Sequence, residues 1–311
     1  MNAGAEKTSP FDLRAEAAWQ AWRTQKLAAR AQAGEIAVVS LADPQQLTPD
    51  ERDALVHAVL RQNWVVYDTG RSGQALDAAK DDLRALGTQF GLHALDPHLC
   101  ADEDGITPLS VQEGNRRSGY IPYTNRPINW HTDGYYNAPE GAIRGMALHC
   151  VQPAAQGGEN AMADHELVYL RMREENPAWV AALMQPDAMT IPANAEGDTV
   201  LRADVSSPVF RVEPQSGNLH MRFTARTRNI VWKDDPQVRE AVAWLLALLN
   251  EEMPSLSEGL VFRATLKAGQ GLLCNNVLHT RTGFEDDPAA PRVMLRGRYH
   301  ERVAGTDVHA A

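Results

Sequence analysis

From Tyr120 to Tyr299 the sequence is divided into short apolar segments bounded by turn residues, with no strand–helix–strand alternation and no internal repeat. That pattern excludes a parallel doubly wound sheet and favours an antiparallel sandwich or jelly roll. Met146, Leu148 and Cys150 alternate within 142–151, a strand with one buried face, and residues 159–162 follow the turn Gln156-Gly157-Gly158. Segments 209–212 and 219–223 flank Pro214-Gln215-Ser216-Gly217-Asn218 and read as a hairpin. Leu219, Met221 and Phe223 fall on one of its faces. His220, Arg222 and Thr224 fall on the other, towards solvent or a polar cavity. Further strands are expected at 260–266, 271–275 and 293–299. Helices should follow Asp164, begin at Pro177, and run from Asp235-Pro236 through Leu249. The expected fold is mainly β with flanking helices.

The N-terminal part reads differently. Ser9-Pro10-Phe11-Asp12 resembles a helix start, and the Ala-rich run beyond it predicts a helix towards Ala33, closed by Gly34 and followed by a strand over 35–40. Phe11, Trp19 and Trp22 form an apolar stripe suited to docking on the parent domain or on a partner subunit of a homo-oligomer. Residues 1–34 are thus a helical extension to a domain over 35–311. Thr48-Pro49-Asp50-Glu51 is a capping box, with a strand over 63–67 and a helix over 75–86 behind it. Residues 91–117 lack periodicity and read as loop, with a short strand at 108–112.

The formal charge of −10 and the pI near 5.5 argue against nucleic-acid or anionic-membrane partners. Any anionic ligand therefore needs a local basic pocket. Cys100, Cys150 and Cys274 are odd in number and widely spaced, which fits free thiols in a reducing cytoplasm. No stretch is long and apolar enough to span a membrane, and the N-terminus lacks a signal-peptide pattern.

Chemistry concentrates in Asn129-Trp130-His131-Thr132-Asp133-Gly134. On a strand, His131 and Asp133 would share a face and could grip one ion, with His279 as third ligand. Two histidines and one carboxylate form the facial triad of non-haem Fe(II) oxygenases, which leaves positions open for other ligands. A lone His-x-Asp is weak, because chance supplies about one in a chain with this many histidines. Three further segments follow in order: Gln156-Gly157-Gly158-Glu159-Asn160, Asn275-Asn276-Val277-Leu278-His279-Thr280-Arg281, and Arg292-Val293-Met294-Leu295-Arg296.

Together the four resemble the taurine dioxygenase (TauD/TfdA-like) family of Fe(II)- and 2-oxoglutarate-dependent oxygenases, over roughly residues 36–302. The resemblance implies a double-stranded β-helix, Fe(II), 2-oxoglutarate and O2, with His131, Asp133 and His279 as iron ligands and Arg292 as partner of the distal carboxylate of 2-oxoglutarate. It also implies decarboxylation of 2-oxoglutarate to succinate and CO2, coupled to oxidation of a small organic substrate. Intact Asp133 favours hydroxylation over halogenation, which would need the carboxylate's coordination place.

The residues agree with that reading. A guanidinium holds a carboxylate bidentately, and Arg292 lies thirteen residues after His279, room for a turn at Asp286-Asp287-Pro288 and a return. Arg296 should share its face and serves either the metal-bound end of 2-oxoglutarate or an anionic group on the substrate. Asn160 stands where relatives commonly carry a hydroxyl residue beside the distal carboxylate, and its amide can still donate. Asn129, Tyr135, Tyr136 and Asn137 flank the metal pair, Tyr120 and Tyr123 lie on the approach, and Arg222 could reach an anionic substrate. His149 and His220 read as hydrogen-bonded core residues rather than ligands. The competing function is a jelly-roll protein using the same ligands for zinc or manganese in hydrolysis, isomerisation or binding. Such a site has no use for a buried Arg292.

Overall fold

The computed structural model describes residues 8–31, 38–97, 102–197 and 199–309. Two sheets organise it. A six-stranded sheet has the order Val39–Ser40, Trp64–Asp68, Gln270–Cys274, Gly145–Gln152, Val293–Tyr299, Thr107–Leu109. All its neighbours are antiparallel except the first pair. A four-stranded antiparallel sheet has the order Val261–Ala264, Asn160–Ala163, Leu278–Arg281, Ile128–His131.

Period-two alternation decides how the large sheet packs. Trp64, Val66, Met146, Leu148, Cys150, Leu272, Cys274 and Met294 turn to one side and share a core with Met162 of the small sheet. Their neighbours Val65, Tyr67, Ala147, Leu273, Leu295 and Tyr299 turn to the other. There they meet Leu55 and Val59 of helix Pro49–Gln62 and Leu83 and Leu86 of helix Leu76–Gln89. Both faces of the large sheet are therefore buried. The Thr48 capping box opens the first of these helices as expected.

A third core gathers helices Glu16–Ala31, His165–Glu175, Pro177–Leu183 and Pro236–Leu249 around the hairpin Phe210–Val212 and Leu219–Met221. Because of these helices the fold is mixed, with slightly more residues in α-helix than in strand, rather than mainly β. Their interiors are rich in Leu and Ala, and each buries a face against a sheet or another helix, so tertiary packing sustains them. No helix among the described residues is long and apolar enough to cross a membrane.

Several local expectations are corrected. Ser9 caps a turn, its hydroxyl accepting from Phe11 N–H, and the first helix begins only at Glu16. The stripe docks on the body of the chain: Phe11, Trp19 and Trp22 are buried against Tyr169, whose hydroxyl donates to the Phe11 carbonyl at 2.9 Å. The short strand in the 91–117 loop is Thr107–Leu109. Cys150 and Cys274 are free and buried, whereas Cys100, Gly34 and residues 35–37 of the strand expected at 35–40 lie outside the described residues; Val39–Ser40 is a strand.

Candidate metal centre

Strands Ile128–His131 and Leu278–Arg281 pair with His131 directly opposite His279, which brings the two imidazoles to a ring separation of 4.2 Å. Asp133 does not share the strand, as the i, i+2 spacing predicted. The strand ends at His131, and Asp133 sits in the turn beyond it, held by different means. Asn276 accepts from the Asp133 N–H at 2.8 Å and donates to the Asp133 carbonyl at 2.9 Å and the Ile143 carbonyl at 2.8 Å. Gly134 completes the turn at φ +67°, where a Cβ would lie 2.4 Å from Ile143 Cγ1. A residue from the histidine strand's approach thus locks the carboxylate.

The nitrogens are aimed as well as placed. Nδ1 of His131 donates to the Asn129 carbonyl and Nδ1 of His279 to the Val277 carbonyl, each at 2.9 Å. A carbonyl can only accept, so both Nδ1 atoms carry the proton and both Nε2 lone pairs are left for another ligand. Burial and neighbouring His279 pull the His131 pKa down to about 3, and burial lowers that of His279. Both rings are neutral near pH 7, the form that binds metal. Ligand atoms of His131, Asp133 and His279 all lie within 4.8 Å of one another.

Burial by itself would push the Asp133 carboxyl up, but Arg296 and Arg298 outweigh it and hold the group well below the usual carboxylate range. Arg296 donates to Asp133 Oδ1 at 3.2 Å, leaving buried Oδ2 without a hydrogen-bond partner. An ionised, buried oxygen in that state fits a cation. The three donors therefore suit a hard or borderline divalent ion.

The family model for the taurine catabolism dioxygenase TauD, TfdA family matches residues 23–298. The chain belongs to this family. A curated relative, uridine-5'-phosphate dioxygenase of a Streptomyces species, is 26% identical over 220 residues, 69% of this chain and 77% of the relative. Among solved structures, the non-haem iron oxygenase OrfP in complex with Fe, succinate and (3R,4R)-dihydroxy-L-Arg superposes with a TM-score of 0.59 at 13% identity, over 90% of this chain and 91% of that one. A taurine dioxygenase from Burkholderia xenovorans gives 0.52 at 20% identity, over 83% and 84%. As a TauD/TfdA-family protein, the chain is an Fe(II)- and 2-oxoglutarate-dependent dioxygenase acting on a small molecule.

A second buried feature lies within the same site. Arg292 is 4% exposed and Arg281 5%, and both guanidiniums lie over the Phe284 ring, at 5.0 and 4.7 Å from its centroid. Neither has a carboxylate oxygen within 4.0 Å among the described residues. Nη1 of Arg292 and Nε of Arg281 lack any partner. Burial, with the Arg292 charge beside it, brings the Arg281 pKa down to about 9, and burial also lowers that of Arg292. Gly158 passes close to Arg292 at φ +71°, a conformation that favours glycine. Asn160 is half-buried and pairs in register with Arg281.

The remaining candidates disperse. Tyr135 meets His131 edge-on at 6.3 Å and accepts a 3.0 Å hydrogen bond from Arg226. Asn129 is exposed beside it. Tyr123 is buried in the core between the sheets, and Tyr120 packs half-buried against that core. Arg222 was expected to reach substrate. Its guanidinium instead donates to the main-chain carbonyls of Tyr135, Met189, Ser207 and Val205, bracing these segments against one another, and burial lowers its pKa to about 10. His149 and His220 are half to fully enclosed and hydrogen-bonded, to Tyr67 and the Ile143 carbonyl. Sequence reasoning missed Asn276, Arg281, Arg226 and Arg298. For Arg281 a signal existed: two residues beyond a ligand on a strand shares the ligand's face.

Proposed function

We propose that His131, Asp133 and His279 hold Fe(II), and that Arg292 with Asn160 receives the distal carboxylate of 2-oxoglutarate, in a double-stranded β-helix formed by the two facing sheets. The observation that carries this reading is the convergence of two Nε2 lone pairs and the unpartnered Asp133 Oδ2, with both Nδ1 atoms already committed. Bound iron supplies the dioxygen chemistry, and the protein's share is geometry and a water-poor cavity. Arg296 fixes Asp133 in its ionised form, and it lies where the metal-bound end of 2-oxoglutarate or a substrate anion would come. Arg292 offers a fork to the far carboxylate and so sets the reach of the chelating end.

Substrate enters, in this reading, past Asn129 and Tyr135, where Arg226 adds a guanidinium to the rim. That charge favours a small organic anion, in keeping with the phosphate in the name of the streptomycete relative. Hydroxylation is the outcome expected of an intact carboxylate ligand. We place the protein in the cytoplasm, with residues 1–34 an extension to a catalytic domain of residues 35–311, and with homo-oligomerisation open to a sedimentation measurement.

Anaerobic titration with Fe(II), with and without 2-oxoglutarate, tests the assignment. A weak metal-to-ligand charge-transfer band that requires both and vanishes in His279→Ala supports it. Metal binding without a band, or an unchanged band in His279→Ala, overturns it.

A further inference from the structure

Strand Leu278–Arg281 carries His279 and Arg281 on one face, opposite Met162 and Asn160 of strand Asn160–Ala163. Met162 lies in the core between the sheets, so Arg281 and Asn160 also point inward. Arg281 Nη2 is fixed by the carbonyls of Thr124, at 2.8 Å, and Arg126. These bonds leave the guanidinium oriented but uncompensated: two carbonyls are dipoles, not charges. Two buried cations thus share the Phe284 ring with no carboxylate within ion-pairing distance of either guanidinium among the described residues; Asp286 acts on them only from further off, its carboxylate taken by the Arg292 main-chain N–H. Isolated buried charge is costly unless a ligand brings the counter-charge. Resting on the reading of Arg292 above, we propose that Arg281 is a second guanidinium of the 2-oxoglutarate site, acting with Arg292 on the distal carboxylate. The pair makes the pocket select dicarboxylic over monocarboxylic 2-oxo acids.

A structural role alone, bracing residues 124–126, would not distinguish one 2-oxo acid from another. Calorimetric titration of the anaerobic Fe(II)-loaded full chain with 2-oxoglutarate and with 2-oxobutyrate, which lacks the distal carboxylate, separates the two roles. In Arg281→Gln the dissociation constant for 2-oxoglutarate should rise about tenfold or more, with that for 2-oxobutyrate unchanged. Arg281→Lys, which keeps the charge and loses the fork, should fall between wild type and Arg281→Gln and serves if the glutamine variant does not fold. Equal weakening of both acids, or no weakening of either, overturns the proposal for Arg281. If Arg292→Gln alone weakens 2-oxoglutarate selectively, the site stands and Arg281 is excluded from it. If wild type discriminates not at all between the two acids, the reading of Arg292 fails with it.

Discussion

Two buried clusters of charge, one behind the N-terminal helix and one around Phe284, follow opposite rules. Behind the helix, Lys26 reaches Asp164 and Glu166 at 2.7 Å each, and Arg302 meets Glu166 at 3.3 Å, so two cations face two anions. Asn63 links the cluster to itself, donating to Asp164 and accepting from Arg302. Around Phe284, neither the Arg281 nor the Arg292 guanidinium has an ion-paired carboxylate among the described residues, and Asp286 acts on them only from further off. Equal burial therefore means different things. A balanced cluster holds elements together, and an unbalanced one waits for a ligand.

The contrast breaks first at Lys26. Lys26→Met would leave two carboxylates enclosed without their nearest cation, and denaturant unfolding should show a loss of about 3–5 kcal/mol, with 2-oxoglutarate affinity of the folded protein unchanged. Arg292→Met should do the reverse. Its affinity for 2-oxoglutarate should fall about 100-fold, near 2.7 kcal/mol, while the stability of the ligand-free protein stays level or rises, because an unpaired buried charge is removed. Were the arginine variant the less stable of the two, the distinction would collapse.

Ligand linkage sharpens it. With Fe(II) bound anaerobically and 2-oxoglutarate at about a hundred times its dissociation constant, the wild type should gain about 2.7 kcal/mol in unfolding free energy, and Arg292→Met almost none at that concentration. Acid should act on the other cluster. Burial alone would raise the Glu166 carboxyl, but Lys26 and Arg302 outweigh it and hold it below its ordinary value of 4.5. The unfolded chain then takes up that proton first, so this contribution is present above about pH 4.5 and is lost as pH falls towards the lowered folded value. Its slope is at most about 1.4 kcal/mol per pH unit. Lys26→Met should flatten the stability profile in that window. An unchanged profile would show that Lys26 does not set the acid response.

Much of this was legible before the fold. The hairpin around residues 214–218, the Thr48 cap and the strand Val293–Tyr299 each rest on chemistry local to a few residues, and each is present in the structure. The family followed from four short segments in order, because spacing along the chain is itself the signal. Arg222 shows the limit. Alternation gave its face, but only tertiary folding brings four main-chain carbonyls to its guanidinium.

What the sequence by itself determined is the local code: where strands alternate, where helices start, and which histidines and carboxylate can belong to one ion. Tertiary structure alone decided which buried charges are paired. Lys26 finds Glu166 across 140 residues, Asn276 locks the Asp133 turn across 143, and Arg281 and Arg292 both lie over Phe284 without an ion-paired acid among the described residues. The physical reason is range: propensity and alternation act over a few residues, whereas the energy of a buried charge depends on every group that folding brings within a few ångströms.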